Sequence, residues 1–159
     1  MNAYIARLRS TLGADKLIHP GARIIIENQE GDILFIVRTD TGQLGIPAGS
    51  FEEDETIEAC IKREVKEETG LTLLDVEVIG ISTNPVTETV EYPNKDTVQY
   101  FTVEFYSNSW SGELSLNDPA EVKKAQFMNP SNRDRLPNNE QSAFESLEYF
   151  RRHNRIMLK

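Results

Sequence analysis

Cysteine is all but missing from this 159-residue chain: Cys60 stands alone, so no intramolecular disulfide can form, as expected of a reducing compartment. Histidine is nearly as scarce, with His19 and His153 far apart, and two such residues beside one thiol argue against a zinc site. Long hydrophobic runs are also lacking. The longest, Ile33 to Val37, falls far short of the ~20 residues that span a bilayer, so no membrane segment is expected. Arg7 and Arg9 interrupt the stretch where a signal peptide would carry its apolar core, which points to a cytoplasmic protein. Positive charge is in deficit: 17 Lys and Arg face 26 Asp and Glu, for a net charge of −9. Such a balance repels a phosphate backbone unless the basic groups are gathered, so general nucleic-acid binding is disfavoured. What remains, 38% hydrophobic residues and nine glycines, excludes collagen-like and wholly disordered chains. The length suits one domain, large enough to bury a core without a disulfide or structural metal.

Tyr4, Ile5, Leu8 and Leu12 recur at helical spacing before Gly13, predicting a helix over residues 2–12 within an N-terminal extension of residues 1–20. Pro20-Gly21 is expected to turn the chain. Residues 22–27 and 33–38 are rich in Ile, Val and Phe and flank a polar stretch, predicting a hairpin. A short strand follows over residues 44–46. Residues 55–69 lack Gly and Pro and end at Gly70, placed as a left-handed helix cap. Strands are expected over 73–83 and 98–107, the second with Phe101, Val103 and Phe105 on its buried face and Thr102, Glu104 and Tyr106 on the other. Residues 84–97 read as a polar loop, 125–128 as a last strand, and Ala143, Leu147 and Phe150 mark a C-terminal helix. Mixed strands and helices in one chain predict an α/β fold, with a mixed sheet between helices.

The helix over 55–69 carries an anomaly. Ile57, Cys60 and Ile61 form an apolar stripe, and the same steps continue to Glu64, Glu67 and Glu68. At ~100° per residue these carboxylates share one narrow arc. Like charges at such spacing repel, and desolvating them costs far more, so a cation is expected there. Three hard oxygen donors suit Mg²⁺, with Mn²⁺ as a substitute. The alternative is a solvated acidic face. Upstream, Gly49 follows Pro47-Ala48 where a strand passes to the helix, and a glycine there lets backbone approach a ligand closely.

Gly49, five residues, Glu55, seven residues, Arg63-Glu64-Val65, one residue, Glu67-Glu68, one residue, Gly70-Leu71: this segment matches every fixed position of the Nudix hydrolase signature, and the chain is identified by it as resembling that family. The resemblance implies an α/β/α sandwich over 1–159 and hydrolysis of a nucleoside diphosphate linked to another moiety. It further implies that Glu64 and Glu68 are the principal metal ligands, with Glu67 directly or through water and a carbonyl of Ala48 or Gly49. Arg63 resembles the family's structural arginine, pairing with a carboxylate such as Glu55, and Gly70 closes the motif. The catalytic base is then either Glu64 or a carboxylate on a later loop. Glu121 resembles the latter in placement, and Glu104, Glu113 and Asp118 compete with it.

Substrate marks are sparser. Pro85, fourteen residues beyond Leu71, resembles a proline of the ADP-ribose pyrophosphatase subgroup, though a turn proline reads the same way. Tyr92 would stack on a base and Lys95 meet a phosphate, in a segment similar to a loop of small bacterial Nudix proteins. Arg23 and Arg38 would reach phosphate, or else form strand-end salt bridges. Arg151, Arg152, Arg155 and Lys159 suggest either an RNA 5′ end or a solvated helix face. The expectation is a Mg²⁺-dependent pyrophosphohydrolase acting on ADP-ribose or a similar nucleotide sugar. A MutT-like triphosphate pyrophosphohydrolase and a non-catalytic nucleotide sensor are the alternatives. The partner is then a small-molecule nucleotide, and a homodimer remains open.

Overall fold

The apolar strands of this chain are buried on two faces, and that sets its layering. A computed structural model describes residues 3–159. Its elements are α1 (Ala3–Leu12), β1 (Leu17–Ile26), β2 (Ile33–Arg38), β3 (Leu44–Gly45), β4 (Ala48–Ser50), α2 (Ile57–Thr69), β5 (Thr72–Ser82), α3 (Pro85–Glu88), β6 (Thr89–Glu91), β7 (Thr97–Ser111), β8 (Val122–Met128), α4 (Asn138–His153) and β9 (Met157–Leu158). A 3-10 turn, Pro130–Arg135, leads into α4. Asn2, the first residue of the expected N-terminal helix, lies outside the described residues.

One sheet runs β4-β1-β7-β5-β9 with β6 also on β7, and a second runs β3-β2-β8. β1 pairs with β7 in parallel, while β5 and β6 pair with β7 antiparallel. Ile24 and Ile26 face a core with Cys60, Ile61 and Val65 of α2, whereas Ile25 and Phe35 face one with Ala143, Phe144 and Leu147 of α4. Each such Ile, Val, Leu or Phe contributes about 1.5–3 kcal/mol by leaving water. The result is an α/β/α sandwich with mixed strands between helices. Among the described residues no helix is long and apolar enough to cross a membrane.

The structure corrects four expectations. Pro20-Gly21 does not turn the chain but sits inside β1. Pro20 precedes the stretch of β1 that pairs with β4, and a Cβ on Gly21 would lie 2.8 Å from the Gly49 carbonyl oxygen, so the dipeptide lets a neighbouring strand approach. The segments 22–27 and 33–38 do not form a hairpin; Glu27 and Ile33 make an isolated bridge and the strands part into different sheets. Both are buried on two faces, so each needs a partner layer on either side.

On β7 the expected faces are reversed in part: Thr102 and Glu104 are buried while Phe101 is 42% exposed. Salt bridges and hydroxyls, described below, satisfy that polar face. Finally, 84–97 is not an unstructured loop. Asn84 caps α3 through Val86 N, Pro85 supplies its first turn, and β6 joins β7 through a turn in which Tyr92 N donates to Asp96 O.

Candidate functional site

Both ends of α2 are fixed by local chemistry. The Thr56 hydroxyl accepts from Ala59 N at 3.1 Å, and Gly70 adopts φ 79°, its N–H donating to Lys66 O. Cys60, Ile61 and Val65 then face the core, and the helical period carries Glu64 and Glu68 to the edge of that buried stripe. Glu64 is 8% exposed and Glu68 4%, while Glu67 stays half-exposed at the rim.

Burial with few partners governs these acids. Glu68 Oε1 accepts from Ala48 N at 3.2 Å, but its Oε2 is buried with no hydrogen bond. Burial pushes the Glu68 carboxyl well above its ordinary range, opposed by the charge of Arg38. Burial likewise lifts Glu64 to about 7, against the pull of Arg63 and with repulsion from Glu67 and Glu121. Gly49 makes room for Glu64: a Cβ there would lie 1.8 Å from the carboxylate carbon. Arg63 ties the assembly together. It donates to Glu64 Oε1 at 2.8 Å, to both Glu55 oxygens at 2.8 and 3.0 Å, and to Ser50 O at 3.0 Å. The Arg63 hydrogen bonds hold the Glu55 carboxyl below its usual range.

A buried carboxylate oxygen without a donor, a second carboxylate seated on a glycine, and nearby carbonyls make a set of hard oxygen donors, which fits Mg²⁺ or Mn²⁺. Among the described residues no three acidic, imidazole or thiol groups close into a metal cage.

Glu68, Ala48 and Gly49 border a cavity of about 580 Å³ whose walls also include Glu121, Arg38 and Tyr92, while Glu64 and Glu67 do not line it. Of the four later carboxylates, Glu121 alone lines it. Glu104 is sealed in the interior, Glu113 is exposed beyond Gly70, and Asp118 accepts from Ala120 N within a turn. Glu121 makes no side-chain hydrogen bond among the described residues, and its charge acts on both Glu64 and Glu68.

The expected substrate groups divide. Tyr92 is 40% exposed on the cavity wall, its hydroxyl bonded to that of Tyr100. Lys95 sits at φ 68° in the turn beyond and does not line the cavity. Arg23 touches the cavity but is 3% exposed and committed to Glu88 and Glu104. Arg38 is freer and pairs with Glu140. Of the basic residues near the C-terminus, Arg151 pairs with Glu27 and Lys159 with Glu104.

Glu140 and Glu88 escaped the sequence reading. Glu140 carried a usable signal, since it precedes Ala143, Phe144 and Leu147 at i+3, i+4 and i+7, an acid on a buried stripe as in α2. Glu88 had none, because its burial depends on where α3 docks.

The NUDIX domain family model matches residues 17–150. The chain is similar to an RNA pyrophosphohydrolase of Marinomonas sp. (strain MWYL1), 39% identical over 61 residues, a match that covers 38% of this chain and 38% of that protein. It is also similar to an ADP-ribose pyrophosphatase of Methanocaldococcus jannaschii, 31% identical over 124 residues, covering 75% of this chain and 68% of that protein. Among solved structures, a MutT NUDIX hydrolase from Burkholderia pseudomallei superposes with a TM-score of 0.65 at 21% identity, over 82% of this chain and 98% of that one.

Proposed function

Because the chain belongs to the NUDIX domain family, we propose that it is a cytoplasmic, divalent-metal-dependent pyrophosphohydrolase whose substrate is ADP-ribose or a similar nucleoside diphosphate sugar. The observation that carries this reading is Glu68, buried with one oxygen unpartnered beside a cavity large enough for a nucleotide. Glu68 and Glu64, with a carbonyl of Ala48 or Gly49, are the residues to hold the cation, and Glu67 reaches it from the rim. Bound there, Mg²⁺ or Mn²⁺ neutralises diphosphate oxygens and makes a water more acidic.

The protein's own groups do the rest. Arg63 fixes Glu64 and the loop behind it, so the carboxylate needs no reorganisation. Glu121 accepts the proton of the attacking water at its carboxylate, the role its free position on the cavity wall supports. Arg38 meets an outer phosphate oxygen as a charge-assisted donor. Tyr92 offers a ring to the moiety beyond the diphosphate. Arg23, whose donors are engaged, shapes the wall instead.

The similarity to an ADP-ribose pyrophosphatase and the wall built from residues 88–92 both favour a substrate extending past the diphosphate. The similarity to an RNA pyrophosphohydrolase favours a triphosphate end as the second reading. A nucleotide panel with Mg²⁺, products identified by mass, separates them. We expect a nucleoside monophosphate and a sugar phosphate, with kcat/KM above that of any triphosphate. A triphosphate that outperforms every diphosphate sugar by about tenfold would replace the substrate, and undiminished turnover in excess EDTA would contradict the metal mechanism.

A further inference from the structure

Arg38 presents a hazard to the site it serves. It lines the same cavity as Glu68, and it is a cation whose charge bears on that carboxylate, while Glu68 Oε2 lies buried without a partner. Arg63 takes only one oxygen of Glu64, but at Glu68 the amide of Ala48 already holds Oε1, so a guanidinium reaching Oε2 would take up the oxygen left for a cation. An unpartnered buried carboxylate is costly, so a loose arginine nearby would move to it.

Arg38 is paired instead with Glu140. From the first turn of α4 that glutamate is 5% exposed, and its Oε1 takes the hydrogen bond of Arg38 Nη2 while its Oε2 accepts from Ile46 N at 2.7 Å. One carboxylate therefore grips both the arginine and the backbone run that leads through Pro47 into Ala48 and Gly49. Gly45 completes the seat: a Cβ there would lie 2.9 Å from Arg38 Cζ, so the guanidinium rests where only a glycine leaves space. We propose that Glu140 is a positioning residue that, with Gly45, parks Arg38 away from Glu68 and so keeps the cation site open. This rests on the reading that the α2 carboxylates bind a divalent metal.

Mn²⁺ titration of the full chain, followed by the electron paramagnetic resonance signal of the free ion, tests it without any substrate. E140Q retains an acceptor for Ile46 N but removes the charge that holds Arg38. Mn²⁺ affinity should fall by ~10-fold or more, the size usual for losing a group that orients a metal ligand. The double variant E140Q/R38M should return to within about twofold of wild type, because the competing guanidinium is gone. G45A reaches the same end by another route, leaving Glu140 intact while its methyl displaces the guanidinium, and it carries the test if E140Q does not fold. Wild-type Mn²⁺ affinity in E140Q, or in G45A where E140Q does not fold, overturns the proposal. A loss in E140Q that R38M does not restore also overturns it, since Glu140 would then act through the Ile46 amide alone. A wild type that takes up no Mn²⁺ overturns the proposed function and this inference together, whereas normal wild-type uptake with unaffected variants overturns only the inference.

Discussion

Glu104 on β7 and Glu68 on α2 are both almost wholly buried, yet their surroundings differ in kind. Glu104 accepts from Arg23 Nε at 2.9 Å and Ser146 Oγ at 2.6 Å, and Lys159 Nζ stands 2.9 Å away. Its neighbour Glu88 is met by Arg23, by Ser82 Oγ at 2.6 Å and by Thr102 Oγ1 at 3.4 Å. Two carboxylates and two cations balance. Around α2, Glu64 and Glu68 are drawn inward with one arginine and one amide as their direct partners, and Glu121 adds a further negative charge. Burial raises the carboxyl of Glu68, whereas Arg23 and Lys159 outweigh burial at Glu104 and hold its carboxyl below the ordinary range. A buried acid with all its lone pairs met holds a fold together. One left short is arranged for something that arrives later.

The sharpest way to break this contrast is at Glu104. Glu104→Gln leaves Lys159 and Arg23 under-compensated in the interior and should cost about 3–5 kcal/mol, as removal of one partner from a buried pair does. At roughly 2–4 °C per kcal/mol for a chain of this size, Tm falls clearly in thermal melts, while Mn²⁺ affinity stays within about twofold. An unmoved Tm would mean the network is not structural. Glu68→Gln should do the reverse: kcat drops by at least ~10²-fold, and Tm without metal holds or rises because the cost of ionising a buried, under-partnered carboxyl is gone. Wild-type turnover in this variant would show that the helix carboxylates have another task. Glu121→Gln should produce a loss of turnover comparable to that at Glu68, because Glu121 takes the proton of the attacking water. A clearly smaller loss would assign the proton to Glu64.

The smallest effect lies in the pH dependence of stability without metal. Glu64 is raised from 4.5 to about 7, so its contribution is present in full below about 4.5 and is lost as pH rises through about 7. Glu104 is depressed, so its contribution is present above the ordinary carboxylate range and lost as pH falls through its lowered value. In paired melts the Tm of wild type relative to E64Q should therefore decline from about pH 5 to about pH 8, and relative to E104Q it should decline only in acid. Differences that run in the same direction for both would erase the distinction.

Glu64 and Glu68 of α2 were legible in the sequence because a helix converts spacing into direction, although Glu67, expected on the same arc, stays half-exposed. The glycine cap did the same for the C-terminal end at Gly70, whereas the helix was expected from residue 55 and begins at Ile57, after the Thr56 cap. The network at Glu104 was not legible. On a strand the alternate residues Thr102 and Glu104 look solvated, and their burial arises from Arg23 on a parallel neighbour 81 positions away, from α3 and from Lys159. Pro20-Gly21 misled for a related reason, since what the glycine accommodates is the Gly49 carbonyl of another strand. Local chemistry reads out from sequence; long-range partners of polar groups do not.

The central claim is that the short-partnered carboxylates of α2, and not the paired ones of β7, receive a divalent cation. Mn²⁺ binding to wild type, E68Q and E104Q, measured side by side on folded protein, tests it most directly. The account predicts that E68Q loses affinity by ~10-fold or more while E104Q binds as wild type does. Equal affinity in wild type and E68Q would contradict it.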